Sequence, residues 1–136
     1  MKKILSLLLT VITLFMCTCS TYAADVEPMD VPQLYWDSIA TITNDLAVRN
    51  GTAEISVSVV ATSSIDRITI TSVLQKKSFV FFWSDKYIYE SSFNTYYGVY
   101  EKDVPNIGAG TWRLKTTVRT YKQGVLQEEV TVYSED

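Results

Sequence analysis

Apolar and polar residues alternate through most of the chain after residue 34, which is the pattern of strands with one buried face. The clearest pair of strands flanks Asn50-Gly51, a dipeptide whose positive φ angles suit a two-residue hairpin turn. We expect Arg49 to pair with Thr52. One face is then apolar on both strands, with Ala40, Ile42, Leu46 and Val48 opposite Ala61, Val59, Ile55 and Ala53. This agreement predicts an antiparallel hairpin, interrupted only by Asn44 opposite Val57.

A second hairpin is predicted at the end of the chain, with strands over Thr111–Tyr121 and Val125–Tyr133. Lys122-Gln123-Gly124 would join them as a three-residue loop, because Gly124 can adopt the left-handed conformation that such loops need. We expect Tyr121 to lie opposite Val125. The inward face would carry Trp112, Leu114, Thr116 and Val118.

Further strands are predicted between the two hairpins. Arg67–Gln75 and Ser78–Ser84 both alternate, and Lys76-Lys77 would separate them. Tyr96–Val104 should form another strand that ends before Pro105, whereas the pattern of Tyr87–Phe93 does not decide between strand and loop. About seven short strands without a helical pattern predict an all-β fold, an antiparallel β-sandwich.

The first residues have the features of a cleavable secretory signal peptide. Lys2 and Lys3 precede the uncharged apolar run Ile4–Met16, which is shorter than the roughly 20 residues that a membrane-spanning helix needs. Small residues before the bond between Ala23 and Ala24 favour cleavage there. A competing interpretation is lipid attachment at Cys17, which the bulky residues preceding it disfavour.

The signal peptide divides the chain into three parts. Residues 1–23 would form the signal-peptide helix, residues 24–33 a flexible N-terminal arm, and residues 34–136 the β-sandwich domain. We therefore expect a mature protein with no membrane span, secreted to the extracellular medium or held at the cell surface.

Composition limits the chemistry. Both cysteines lie in the predicted signal peptide and the chain has no histidine, which argues against Cys- or His-based catalysis and the usual zinc sites. No loop has the regularly spaced acids of a calcium site, and the acids are too scattered to indicate a two-carboxylate hydrolase. We expect no metal, no cofactor and no enzymatic activity.

The net charge of the mature chain bears on its partners. Without Lys2 and Lys3, the mature chain has 10 basic and 15 acidic residues, a net charge of −5, so nucleic acid is not an expected partner.

One segment carries a resemblance to known proteins. The run Asn106–Val118, in which Gly110 closely precedes Trp112 and an alternating strand, resembles the late strand of immunoglobulin-like and fibronectin-like bacterial modules. Together with the signal peptide, the layout is similar to small secreted Firmicutes proteins of uncharacterised function. The resemblance implies an immunoglobulin-like or fibronectin-like sandwich and supplies no functional residues.

Ten aromatic residues lie between Phe79 and Tyr100. The structural interpretation buries Phe79, Phe81 and Trp83 in the sandwich. The functional interpretation is that exposed rings bind a protein or a glycan. The candidate ligand-binding residues are Phe82, Trp83, Tyr87, Tyr89, Tyr96, Tyr97 and Tyr100. The leading expectation is a secreted non-enzymatic interaction module; the alternatives are a carbohydrate-binding module and a surface structural or self-assembling protein.

Overall fold

A computed structural model describes residues 36–136. The predicted signal peptide, its cleavage site at Ala23 and Ala24, and the arm of residues 24–33 lie outside the described residues. Seven strands make up the described part: β1 (Ile39–Arg49), β2 (Thr52–Ala61), β3 (Arg67–Ser78), β4 (Phe82–Phe93), β5 (Tyr97–Val104), β6 (Trp112–Lys122) and β7 (Val125–Glu135). Residues 36–136 contain no helix of the length and apolarity that crossing a membrane requires.

The strands form two antiparallel sheets. One has three strands in the order β1-β2-β5, and the other has four in the order β4-β3-β6-β7. The facing sides of both sheets carry the buried residues, among them Val57 and Val59 from the first sheet and Ile70, Leu114 and Val118 from the second. The predicted all-β sandwich of about seven strands is confirmed.

Polar residues inside the core are hydrogen-bonded. Thr116 is fully buried, and its hydroxyl donates to Asn44 Oδ1 at 2.7 Å and lies 3.4 Å from Ser72 Oγ. Asn44, which interrupts the apolar face of β1, is therefore the acceptor that a buried hydroxyl needs, because an unpaired one would destabilise the core. It joins the two sheets across the interior.

The first predicted hairpin is confirmed apart from its far end. Arg49 pairs with Thr52, and Asn50 and Gly51 have φ angles of 52° and 75°, as the turn requires. A register irregularity between Ile39 and Thr41 brings Ile39, not Ala40, opposite Ala61. The expected position of Ala40 on the inward face is therefore wrong, and Ala40 is exposed while Ile39 is buried. The extra residue directs the larger side chain into the core.

The last hairpin forms with a different turn from the predicted one. Lys122 pairs with Val125, so the turn has two residues, and Gln123 and Gly124 have φ angles of 52° and 79°. A register irregularity next to Tyr121 follows, and beyond it the strands are shifted by two residues from the expected pairing. Because side chains alternate with a period of two, a shift of two leaves each on its face. The inward face of Trp112, Leu114, Thr116 and Val118 is confirmed.

The boundary between β3 and β4 also differs from the prediction. β3 continues through Lys76-Lys77 to Ser78, and the turn falls at residues 79–81. Hydrogen bonding keeps both lysines in the strand, because Lys76 forms the last pair with β6, opposite Trp112, and the Lys77 N–H donates to the Thr111 carbonyl at 2.9 Å. The undecided segment Tyr87–Phe93 lies within β4.

Glu128 of β7 attaches the start of β1 to the second sheet. Its carboxylate accepts hydrogen bonds from the Asp37, Ser38 and Ile39 N–H groups at 2.8–3.2 Å and from the Ser38 hydroxyl at 2.8 Å. Partial burial raises the pKa of Glu128, but the four hydrogen bonds outweigh it, so the pKa lies below the ordinary 4.5. The carboxylate is therefore a stabilising link in its charged form.

Candidate binding site at the β3–β4 hairpin

The candidate aromatic residues are divided among three places. Phe82 and Trp83 lie at the beginning of β4, and Tyr96 and Tyr97 follow its far end. Trp83 pairs with Lys77 whereas Phe93 pairs with Ile68, so the two ends of β4 are roughly 30 Å apart. Tyr87, Tyr89 and Tyr100 lie between these ends, on strands β4 and β5. The seven residues therefore do not form one continuous site.

The turn between β3 and β4 exposes four consecutive large apolar side chains. Relative exposure is 89% for Phe79, 70% for Val80, 84% for Phe81 and 69% for Phe82. The expectation that Phe79 and Phe81 pack inside the sandwich is wrong. Pairing between β3 and β6 ends at Lys76, so the hairpin extends past β6, and among residues 36–136 no strand covers its end. We call Phe79–Phe82 the hairpin tip.

Phe79 also has an unusual backbone conformation. Its φ is +59°, in the left-handed region that bulky residues rarely adopt. The other non-glycine residues with positive φ in residues 36–136 are Asn50, Asn106 and Gln123. Asparagine tolerates this conformation because its short polar side chain can hydrogen-bond locally, which a phenylalanine ring cannot do. Phe79 thus occupies a position where its own conformational preference is unfavourable.

Stacked side chains support the base of the tip. The Arg113 guanidinium lies 4.2 Å from the Trp83 ring centroid and 4.7 Å from that of Tyr133, while Lys77 Nζ lies 5.7 Å from Trp83. Arg113 Nε donates to Gln75 Oε1 at 2.7 Å. These side chains come from all four strands of the sheet, and they hold Trp83 in place. Arg113 and Lys77 also lie against the face of the Trp83 ring that a sugar would otherwise contact.

Strand β3 carries two lysines next to the tip. Lys76 Nζ lies 5.3 Å from the Trp112 ring, and Lys77 is exposed. Lys86 is the extra residue at a β-bulge, because Leu74 pairs with Tyr87 and Gln75 with Asp85. Asp85 is the nearest acid along the chain, and its carboxylate accepts a hydrogen bond from Gln75 Nε2. Lys76 and Lys77 are nearer to the tip than Asp85, so the tip is an apolar protrusion with two lysines at its base.

The tyrosines between the ends of β4 belong mainly to the edge of the core. Tyr89 and Tyr100 are partly buried and pack against the hydrophobic cluster, and Lys102 Nζ lies 5.5 Å from the Tyr89 ring. Burial, and secondarily the neighbouring Tyr89, raises the pKa of Tyr100 above 10.0. Tyr87, at the same edge, is exposed at 36%. Tyr89 and Tyr100 thus have less exposed ring surface than the predicted binding of a protein or a glycan by these rings would need.

Tyr96 and Tyr97 form a separate exposed pair at the far end. They are 44% and 56% exposed, their ring centroids are 5.6 Å apart, and their planes cross at 72°. The exposed Val60 pairs directly with Tyr97, which extends the apolar area onto β2. The crossed rings form a corner, not a flat platform.

The outer face of the three-stranded sheet is acidic. Asp45, Glu54, Glu101 and Asp103 line an open depression of about 290 Å³. Within residues 36–136, however, no three Asp, Glu, His or Cys side chains are grouped so that they could hold a metal ion. The depression lies on the sheet that does not carry the tip.

Sequence reasoning identified Phe82 and Trp83 but missed the rest of the tip and its support. Phe79–Trp83 is a continuous run of large apolar residues without Gly, Asn, Asp or Pro, so the usual turn signals are absent. Arg113 gave no signal of its own, because its contacts with Trp83 and Tyr133 depend on β4 and β7 lying on either side of β3 and β6 in one sheet. The available signal was five consecutive large apolar residues beside two lysines.

Comparison with protein-family models, with curated proteins and with solved structures finds no significant match to this chain.

Proposed function

We propose that the protein is a secreted, non-enzymatic interaction module that makes contact through the hairpin tip. The observation that carries the proposal is the exposure of four consecutive large apolar side chains, between 69% and 89%. Contiguous exposed apolar surface is unfavourable in water and marks interaction sites in soluble proteins. Single exposed apolar residues, such as Val125, need no such explanation.

The conformation of Phe79 supports the proposal. A phenylalanine at φ +59° with 89% exposure contributes little burial and is backbone-strained. Strain of this kind is retained where function requires a particular side chain. The stacked row under the tip supports it too, because a rigid base keeps the exposed rings in place and lowers the entropy that binding would cost.

A retention assay on the cells that produce the protein tests this function. The variant F79S/F81S removes the two most exposed rings, and V99S/V125S is the matched control, because Val99 and Val125 are exposed at 56% and 63% outside the tip. We expect F79S/F81S to lower the retained fraction at least tenfold while V99S/V125S leaves it unchanged. Equal retention of all three folded proteins would refute contact through the tip.

Glycan binding is the second candidate, and the observation that favours it is the exposed Tyr96–Tyr97 corner. One tyrosine ring could stack on a sugar while the other closes its side. A glycan array probed with the protein and with Tyr97→Ala tests this. Loss of a specific glycan signal in the variant would support it, and identical signals would remove Tyr97 from consideration.

The remaining two proposals concern topology and assembly. The two packed sheets support an immunoglobulin-like or fibronectin-like fold. Because β4 pairs with β3 and not with β5, the topology favours the fibronectin-like alternative over a constant-type immunoglobulin arrangement. Self-assembly through edges is the weaker alternative for function. β4 is an edge strand and so could pair with another chain, but its bulge and the charged Lys86 at that bulge both oppose edge pairing.

A further inference from the structure

We infer that the partner of the hairpin tip is a lipid bilayer, and that anionic headgroups are preferred. This inference rests on the proposed function, because it names what the tip contacts. It joins three properties of the tip: its small convex apolar surface, the two lysines at its base, and its length beyond the sheet.

The size and shape of the tip favour a fluid partner over a folded one. With three phenylalanines and a valine mostly exposed, the tip presents roughly 500 Å² of apolar surface, whereas a stable protein interface buries about 800 Å² on each partner. The tip is also a protruding turn. A protein would need a preformed cavity to cover it, but the acyl region of a bilayer closes around any inserted shape.

The charges around the tip suit an anionic surface. Lys77 and Lys76 are the charged residues nearest to the tip on the hairpin, and Asp85, Arg113 and Glu135 lie one register position further back. The attraction of the two lysines to acidic headgroups acts over about one Debye length, roughly 8–10 Å. The acids that line the depression, such as Asp45 and Glu54, lie on the outer face of the other sheet. A tip-first approach therefore presents Lys77 and Lys76 before Asp85 and Glu135, the acids of the tip's own sheet at this end.

The geometry fits shallow insertion. Beyond the Lys77–Trp83 pair come one more residue pair and the turn, so the apolar end reaches about 7–10 Å past the lysines. Interfacial elements bury their apolar side by about 5–10 Å, with tryptophan at headgroup level. Trp83, half-buried against Arg113, would then lie at the headgroups and report on insertion.

Vesicle binding tests the inference directly. The purified protein is titrated with phosphatidylcholine vesicles and with vesicles containing 30% phosphatidylglycerol (about one anionic lipid in three), and binding is followed by co-sedimentation and by tryptophan emission. We expect at least tenfold stronger partitioning to the anionic vesicles, a blue shift that disappears in Trp83→Phe, and weakening by added salt. F79S/F81S should reduce partitioning at least thirtyfold, and V99S/V125S should match the parent.

The outcomes separate this inference from the proposed function. Absence of partitioning to both vesicles, or equal partitioning of F79S/F81S and the parent, overturns the lipid assignment. If F79S/F81S still lowers retention on cells in that case, the tip binds a protein or another surface component and the proposed function remains. Thermal unfolding shows whether each variant is folded. Phe79 and Phe81 bury little surface, so their replacement should not lower Tm.

Discussion

Replacing Phe79 with asparagine should stabilise the domain while weakening the contact made by the tip. The φ of +59° costs an ordinary L-residue about 1–2 kcal/mol in the left-handed region, and asparagine tolerates this conformation better. The ring is 89% exposed, so its removal loses roughly 20 Å² of burial, about 0.5 kcal/mol. The expected net gain is about 0.5–1 kcal/mol in the free energy of unfolding.

Thermal unfolding measures the gain. For a domain of about 100 residues, 1 kcal/mol corresponds to a change in Tm of roughly 4–8 °C, so F79N should raise Tm by about 2–8 °C. Phe81→Asn is the matched control, because Phe81 is 84% exposed without the positive φ. It should leave Tm nearly unchanged. A Tm for F79N at or below that of the parent would refute the argument that Phe79 is held in a strained conformation.

Three further predictions concern the sheets. Gly98→Ala should lower the free energy of unfolding by about 1–3 kcal/mol in urea, because its Cβ would lie 2.5 Å from the Phe93 ring. Glu128→Gln should cost about 1–2 kcal/mol at neutral pH, because a charged acceptor of four hydrogen bonds becomes neutral. The pKa of Glu128 is lowered in the folded state, so the stabilisation by its carboxylate is present above the unfolded-state pKa and is lost as pH falls through the folded-state pKa. The difference in stability between the parent and Glu128→Gln should therefore vanish in acid. Arg113→Gln should cost about 1 kcal/mol and make Trp83 more accessible to acrylamide quenching.

Each of these predictions has a matched control. Gly108→Ala meets only the flexible end of Lys76 at 3.3 Å and should be nearly neutral, so an equal loss in both alanine variants would contradict the steric argument at Gly98. Glu129→Gln affects an exposed ion pair with Arg119 and should cost less than 1 kcal/mol. If the free energies of unfolding of the parent and of Glu128→Gln differed equally at pH 7 and pH 3, the charged carboxylate would not be the source of the stabilisation. Unchanged quenching in Arg113→Gln would mean that Arg113 does not shield Trp83.

The apolar and polar pattern of the sequence was enough to predict features that depend on residues close together along the chain. Asn50-Gly51 was sufficient for the first turn, because both residues adopt positive φ at little cost. The faces of β6 were correct even with the pairing to β7 displaced by two residues, because the alternation has a period of two. The same property concealed the error, since an apolar pattern does not distinguish registers that differ by two.

Features that depend on distant strands were settled only by the tertiary structure. The apolar run Phe79–Trp83 is compatible with a buried strand as well as with an exposed turn, and its exposure follows from the end of pairing between β3 and β6 at Lys76. Arg113, Trp83 and Tyr133 come together only because β4, β3, β6 and β7 lie side by side. The sequence by itself therefore determined most of the strands, the Asn50-Gly51 turn and the inward face of β6, which follow from local conformational preference. The strand order, and the points at which pairing between strands ends, decided which apolar residues are covered, because burial depends on what packs against a side chain.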